Sequence, residues 1–311
     1  MRKHPSPPPF LSLFSSNSDC DGPSYERCRF TQTPRPNIFT DTSFTSCSFT
    51  SFFSYSNGGV IHFTFTGTLT ITTCIFTECS NDVLADDYYG GGCVCVDSGF
   101  LISHSNSFIS CNSGGFGAGL LAQSDCESSV VSFCTFINCR AYHGGGLMTF
   151  LGPTSSIFAS RFLLCSATWV GGAFYHDGYS LDSLTLSDSL FKGNHADFEY
   201  SFQRMRRGGG AFEDYRRYAY ISTYLFSFFT QNTAACAGND ISIIDKSLSE
   251  SSLVHCFTTA SQNSLWNTES KGYVDWLPLG DMQYIKDNTT DSKPVTGKAN
   301  NECIDIFNSD F

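Results

Sequence analysis

Residues Cys134–Leu147 read CTFINCRAYHGGGL. The segment gains meaning by recurring. Phe136 is followed three residues later by Cys139, and ten residues after Phe136 stands Gly146, closing a Gly-Gly pair before an apolar residue. The same frame fits Phe49, Phe52 and Gly58-Gly59-Val60, and again Phe162, Cys165 and Gly171-Gly172-Ala173. One residue longer, it fits Phe108, Cys111 and Gly119-Leu120. With larger insertions it fits Phe76, Cys79 and Gly91-Gly92-Cys93, then Phe191, Asn194 and Gly209-Gly210-Ala211. A degenerate copy is Phe229, Asn232 and Gly238. Successive key phenylalanines stand 26 to 38 residues apart, a period that signals a solenoid.

Within each repeat the apolar residues alternate. Val60-Ile61-His62-Phe63 and Gly146-Leu147-Met148-Thr149-Phe150 follow the glycines as a first strand. Turns are expected at Gly67, at Leu151-Gly152-Pro153 and at Asp177-Gly178. A second strand carries Leu69 and Ile71, Val131, Ile157, or Leu184 and Leu186. The third carries the key Phe, preceded by two positions by Cys47, Cys74, Asn106, Cys134, Ser160 or Ser189 on the same face. Such units, each with one apolar face, predict an all-β fold: a single-stranded parallel β-helix of about seven to eight coils. The hand of parallel crossovers makes it right-handed. Phe49, Phe76, Phe108, Phe136, Phe162, Phe191 and Phe229 are expected as an interior ladder. Cys79, Cys111, Cys139, Cys165, Asn194 and Asn232 form a second ladder at a bend. Gly59, Gly92, Gly119, Gly146, Gly172 and Gly210 mark the tight turn. The four ladder cysteines are read as buried thiols, with bridges between coils as the alternative.

The chain divides into a disordered or capping leader (1–36), the repeats (37–245), a terminal coil and cap (246–284) and a disordered tail (285–311). Its 311 residues carry a net charge of −11, which argues against nucleic acid as a partner. The 15 cysteines contain no CxxC pair, against a structural zinc site of the usual spacing. Cys93 and Cys95 stand two apart, as if on one strand face, and make a weak metal pair. Prolines interrupt the apolar residues near Met1, which makes a poor signal peptide, and no run is long enough for a membrane span.

FINC with GGGL, FLLC with GGAF, FKGN with GGGA, and FTQN with AGNDI resemble the chlamydial polymorphic outer-membrane protein repeat and protist β-helix families of the pectin-lyase-like superfamily. The resemblance covers about 38–245. It implies the solenoid fold and an extracellular or cell-surface location. The function it suggests is adhesion or ligand binding through the solenoid flank, without catalysis. The alternatives are a polysaccharide lyase or hydrolase and a structural rod.

Enzymes of that superfamily use clustered aspartates. Asp86-Asp87 is the one such short pattern here, and beside Asp82 it reads as a solvated loop. Glu213-Asp214 and His176-Asp177 read as turn residues satisfying local backbone. No catalytic, cofactor or metal residue is assigned. Arg204, Arg206, Arg207, Arg216 and Arg217 cluster in and after an insertion and are the candidate site for an anionic partner, a glycan or an acidic protein surface. The acidic insertion (Glu78, Asp82, Asp86, Asp87) and this basic one leave their coils at the same corner and are expected on one flank. Asn288-Thr289-Thr290 is a glycosylation sequon if the chain is secreted.

Overall fold

A computed structural model describes residues 23–31, 36, 38, 40–82, 90–150, 154–178, 183–197, 209–216, 221–234 and 240–245, together with the backbone of four further strands between 251 and 286. The chain winds as a right-handed parallel β-solenoid. Each strand pairs in parallel with its counterpart one coil on. Phe108 lies opposite Phe76 and Phe136, and Phe136 opposite Phe162. Parallel pairing without bulk on the outside is possible because the next coil, rather than a crossover helix, supplies each strand's partner.

The interior follows from the frame. The rings of Phe30, Phe49, Phe76, Phe108, Phe136, Phe162, Phe191 and Phe229 stack face to face, with centroids 4.6–4.9 Å apart. That is the spacing of hydrogen-bonded strands, so in-register pairing alone sets the stack. Beside it runs Phe44, Ile71, Ser103, Val131, Ile157, Leu186 and Tyr224, all buried.

Two bends in every coil share one device. A residue at positive φ is followed by an inward side chain. Where this is cysteine or asparagine it reaches a carbonyl of the preceding coil. Ser160, Ser189 and Ser227 donate to the carbonyl two residues back, and Phe52 after Ser51 packs without a donor. At the bend after the key Phe the positive-φ residues are Glu78, Ser110, Asn138, Leu164, Gly193 and Gln231. The donors that follow are the ladder residues. Cys139 and Cys165 donate S–H to the carbonyls of Phe108 and Phe136, at 3.4 and 3.6 Å. Asn194 and Asn232 donate N–H to those of Phe162 and Phe191, at 3.0 and 3.1 Å. Cysteine and asparagine are interchangeable here because both are short and carry a donor at the same reach. Cys79, Cys111, Cys139 and Cys165 are free thiols, whereas Cys28 is disulfide-bonded. Burial pushes Cys111 and Cys165 well above the ordinary thiol range, so they stay protonated.

Leu164 is the misfit in this series. It is 62% exposed at φ 55°, and a left-handed backbone costs a branched L-residue about 1–2 kcal/mol. Asn138 holds the equivalent place one coil earlier. Leu164→Asn is therefore expected to raise stability by about 1 kcal/mol, measured as an upward shift of the urea midpoint at unchanged slope.

Several details depart from the sequence reading. The first rung, Ser24–Glu26 and Arg29–Thr31, pairs with Thr42–Thr45 and Ser48–Thr50, inside the segment expected as leader or cap. At the other end, Ile285–Lys286 pairs with Leu265–Asn267, and the rest of the expected tail lies outside the described residues. Among the described residues, coils with a strand on every face are fewer than the seven to eight expected. The first and second strands fuse in Val94–His104 and Leu120–Ser132, where register shifts replace the turn. A further short strand after the key Phe builds a separate seven-stranded sheet.

The glycine frame also slips. A register shift between Ala141 and His143 shortens one coil by a residue. Gly145 thus stands with Gly172, while Gly119 and Gly146 lie one place later and face Phe136. Cys93 and Cys95 part company as well. Cys93 precedes the strand and packs in the interior, with its sulfur 2.7 Å from that of Cys111, whereas Cys95 belongs to an outer cluster with Leu121, Met148 and Tyr175.

Candidate functional site

The seven-stranded sheet presents one outward column, always four residues after the key Phe: Phe53, Ser80, Asn112, Arg140, Ser166, His195 and Thr233. The inward neighbours are small, including Ala141, Ala167 and Ala196, because the chain must turn into the glycines within a few residues. Small residues inside keep this sheet close to the core. Large residues outside then have room to frame a depression.

That depression has a volume of about 450 Å³ and is lined by Phe53, Asp82, Asn112, Arg140, Tyr142 and Thr168, among others. Phe53 is 48% exposed and meets Tyr55 edge to face at 4.9 Å. Tyr142, which also lines the depression, meets Trp169 edge to face at 5.1 Å, and behind it His143 stacks on Trp169 at 5.6 Å. Asn112 and Arg140 are register partners on the floor, and both are exposed. The groove therefore offers apolar ring faces at its rims, a guanidinium and an amide between them, and the Asp82 carboxylate. Convergent polar groups in a partly apolar concavity are the usual composition of a ligand site.

The residues singled out in sequence fall elsewhere. Arg204, Arg206, Arg207 and Arg217 lie outside the described residues, as do Asp86, Asp87 and Asn288. Arg216 ends the strand Phe212–Arg216, opposite Gly178 and Asp245. Of the acidic insertion, Glu78 occupies a positive-φ bend and accepts a hydrogen bond from Ser51 at 3.3 Å, and Asp82 lines the groove. Whether both insertions share a flank rests on residues outside the described set.

His176-Asp177 and Glu213-Asp214 are corrected from turn residues to strand residues, all of them buried. The strands run on through positions where Asp-Gly had suggested a turn. His176 and Asp214 are register partners pointing into the solenoid. His176 Nδ1 lies 2.5 Å from Thr149 Oγ1, and Asp214 accepts hydrogen bonds from Tyr224 and from Ser222 at 3.1 Å. Both are fully buried: His176 bonds across to Thr149 of the preceding coil, and Asp214 bonds within its own coil.

The groove column was missed in sequence because its residue types share nothing. A fixed offset from the key Phe would have found it. On another face, His62, Cys95 and Asp97 gather atoms capable of holding a metal ion. Among the described residues no helix is long and apolar enough to cross a membrane. Comparison with protein-family models, with curated proteins and with solved structures finds no match.

Proposed function

We propose that this chain is a non-enzymatic surface or secreted β-helix protein of the pectin-lyase-like kind, binding a glycan through the groove of its seven-stranded sheet. The carrying observation is the set of groups lining that groove. Sugars present apolar C–H faces and dense hydroxyls together. Tyr142 and Phe53 offer ring faces for the first, while Arg140, Asn112 and Asp82 offer donors and acceptors for the second. Strand pairing fixes the backbone spacing of these residues, so their relative positions along the groove are set before the ligand arrives.

A glycan array with the purified chain tests the reading, with polysaccharide-cleavage assays on the same preparation. Binding to at least one glycan is expected, weakened about tenfold by Arg140→Ala and again by Tyr142→Ala, since truncating an anchor costs on the order of 1–2 kcal/mol. Both side chains are at least partly exposed, so thermal stability should change little. No binding, or binding indifferent to both variants, overturns the proposal. Released sugar ends would move the assignment to the enzyme alternative.

A further inference from the structure

The strand Ile61–Phe63 and the start of Val94–His104 lie side by side on consecutive coils, and their register sets His62 opposite Cys95. Two residues on from Cys95, on the same side of its strand, stands Asp97. His62 Nε2 is 2.7 Å from Asp97 Oδ2, and Cys95 Sγ is 3.2 Å from Asp97 Oδ1. The three ligand atoms all lie within 4.8 Å of one another. The set adjoins the outer column that continues through Leu121 and Met148, which makes one wall apolar, while Gln123 is within hydrogen-bonding reach of the thiol. The cysteine is fully buried, whereas the His62 and Asp97 side chains are 30% and 34% exposed. One side is therefore dry and the other open to water.

We propose that His62, Cys95 and Asp97 form a binding site for a zinc-type divalent ion, with the fourth position open to solvent. One imidazole nitrogen, one sulfur and one carboxylate oxygen suit zinc or cobalt and suit the hard ions calcium and magnesium poorly. Bonds of 2.0–2.3 Å in a tetrahedron separate ligand atoms by roughly 3.3–3.8 Å. The two hydrogen-bonded separations, 2.7 and 3.2 Å, fall just short of that range, so the side chains must open slightly by rotation to admit the ion while the two strands stay paired.

The metal-free arrangement has its own logic. Asp97 bridges the other two groups, accepting from the thiol with one oxygen and facing the imidazole with the other. Burial alone would raise the Asp97 carboxyl, but the hydrogen bond and charge of His62 and the hydrogen bond from Cys95 hold it below its ordinary value. Burial, then the Asp97 charge, push the Cys95 thiol well up, while Gln123 favours the thiolate. The empty site thus keeps its thiol protonated. Metal entry exchanges that proton for the ion. Cys95 binds as thiolate and its proton leaves to water; the proton through which His62 Nε2 meets Asp97 must also leave Nε2, passing to Nδ1 or to water, before that nitrogen can face the ion.

Cobalt(II) added to the reduced full-length chain is the test. The expected results are a cobalt–thiolate charge-transfer band saturating at one ion per chain, displacement of the band by zinc, and a rise in melting temperature with zinc. Cys95→Ser should abolish the band. His62→Gln and Asp97→Asn alter partly exposed side chains, and each should weaken cobalt binding at least tenfold while the far-ultraviolet circular dichroism stays unchanged. No thiolate band in the parent chain overturns the proposal. So does a band that survives in all three variants, because another of the chain's thiols would then be the ligand. Glycan binding does not enter the readout, so the two proposals fail separately.

Discussion

Phe136→Ala is expected to destabilise the solenoid by about 3–5 kcal/mol, the cost of truncating a large aromatic in a packed core. The ring is fully buried. It stacks on Phe108 at 4.8 Å and on Phe162 at 4.7 Å, so its loss leaves a gap with a ring face on each side. The gap cannot close by collapse, because the strands above and below are pinned by hydrogen bonds at their own spacing. Urea unfolding followed by far-ultraviolet circular dichroism gives the value. A loss below about 1 kcal/mol would mean that Phe136 is not a core residue, since surface substitutions give values that small. Phe136→Leu, which refills part of the gap, should recover much of the loss.

Gly172→Ala should be comparably harmful for a different reason. The backbone there is not left-handed, so conformational preference is not the issue. A methyl group would sit 2.1 Å from the carbonyl oxygen of Gly210 and 2.4 Å from that of His195, both on the next coil. Neither neighbour is a side chain that can swing away. The coils must part, and the bonds from Gly172 N–H to Gly209 and from Ala173 N–H to Ala211, each 2.9 Å, stretch with them. A destabilisation on the order of 3 kcal/mol or more is expected. Ala118 shows that the local path of the chain decides the matter. It follows the positive-φ Gly117 as Gly172 follows Gly171, yet its methyl group lies in the interior. A melting temperature for Gly172→Ala within a degree of the parent would contradict the close approach.

The fold was readable from sequence because three of its demands each admit few residue types. The interior column needs a large flat ring, and phenylalanine fills it in every coil from Phe30 to Phe229. The bend takes a short donor, cysteine or asparagine, in the six coils from Cys79 to Asn232, with Phe52 in the coil before them. The turn needs glycine where a methyl group would meet backbone. What was not readable are features that no single residue announces. The slip that places Gly145 with Gly172 arises from a register shift, and a count from Phe136 cannot detect it. The second bend was half seen. Cys47, Cys74, Asn106 and Cys134 were placed on the inner face, but the positive-φ residues before them (Ser46, Thr73, Ser105 and Phe133) carry no common chemistry. The groove and the His62–Cys95–Asp97 set were missed for a related reason. Each is assembled across coils from residues about 30 positions apart, and only strand register brings them together.

The direction of the bonds that join the coils has a mechanical consequence. They lie along the long axis, while the strands run across it. Each coil holds only its neighbours, so tension applied end to end falls on one interface at a time and opens the stack like a zipper. Tension applied along a strand instead loads every bond of that strand together, in shear. The same molecule is thus compliant lengthwise and stiff crosswise. Each coil that peels away releases its 26 to 38 residues, or roughly 90–130 Å of extended chain, before the next comes under load. Held at both ends, such a rod would lengthen stepwise and absorb a jolt instead of snapping.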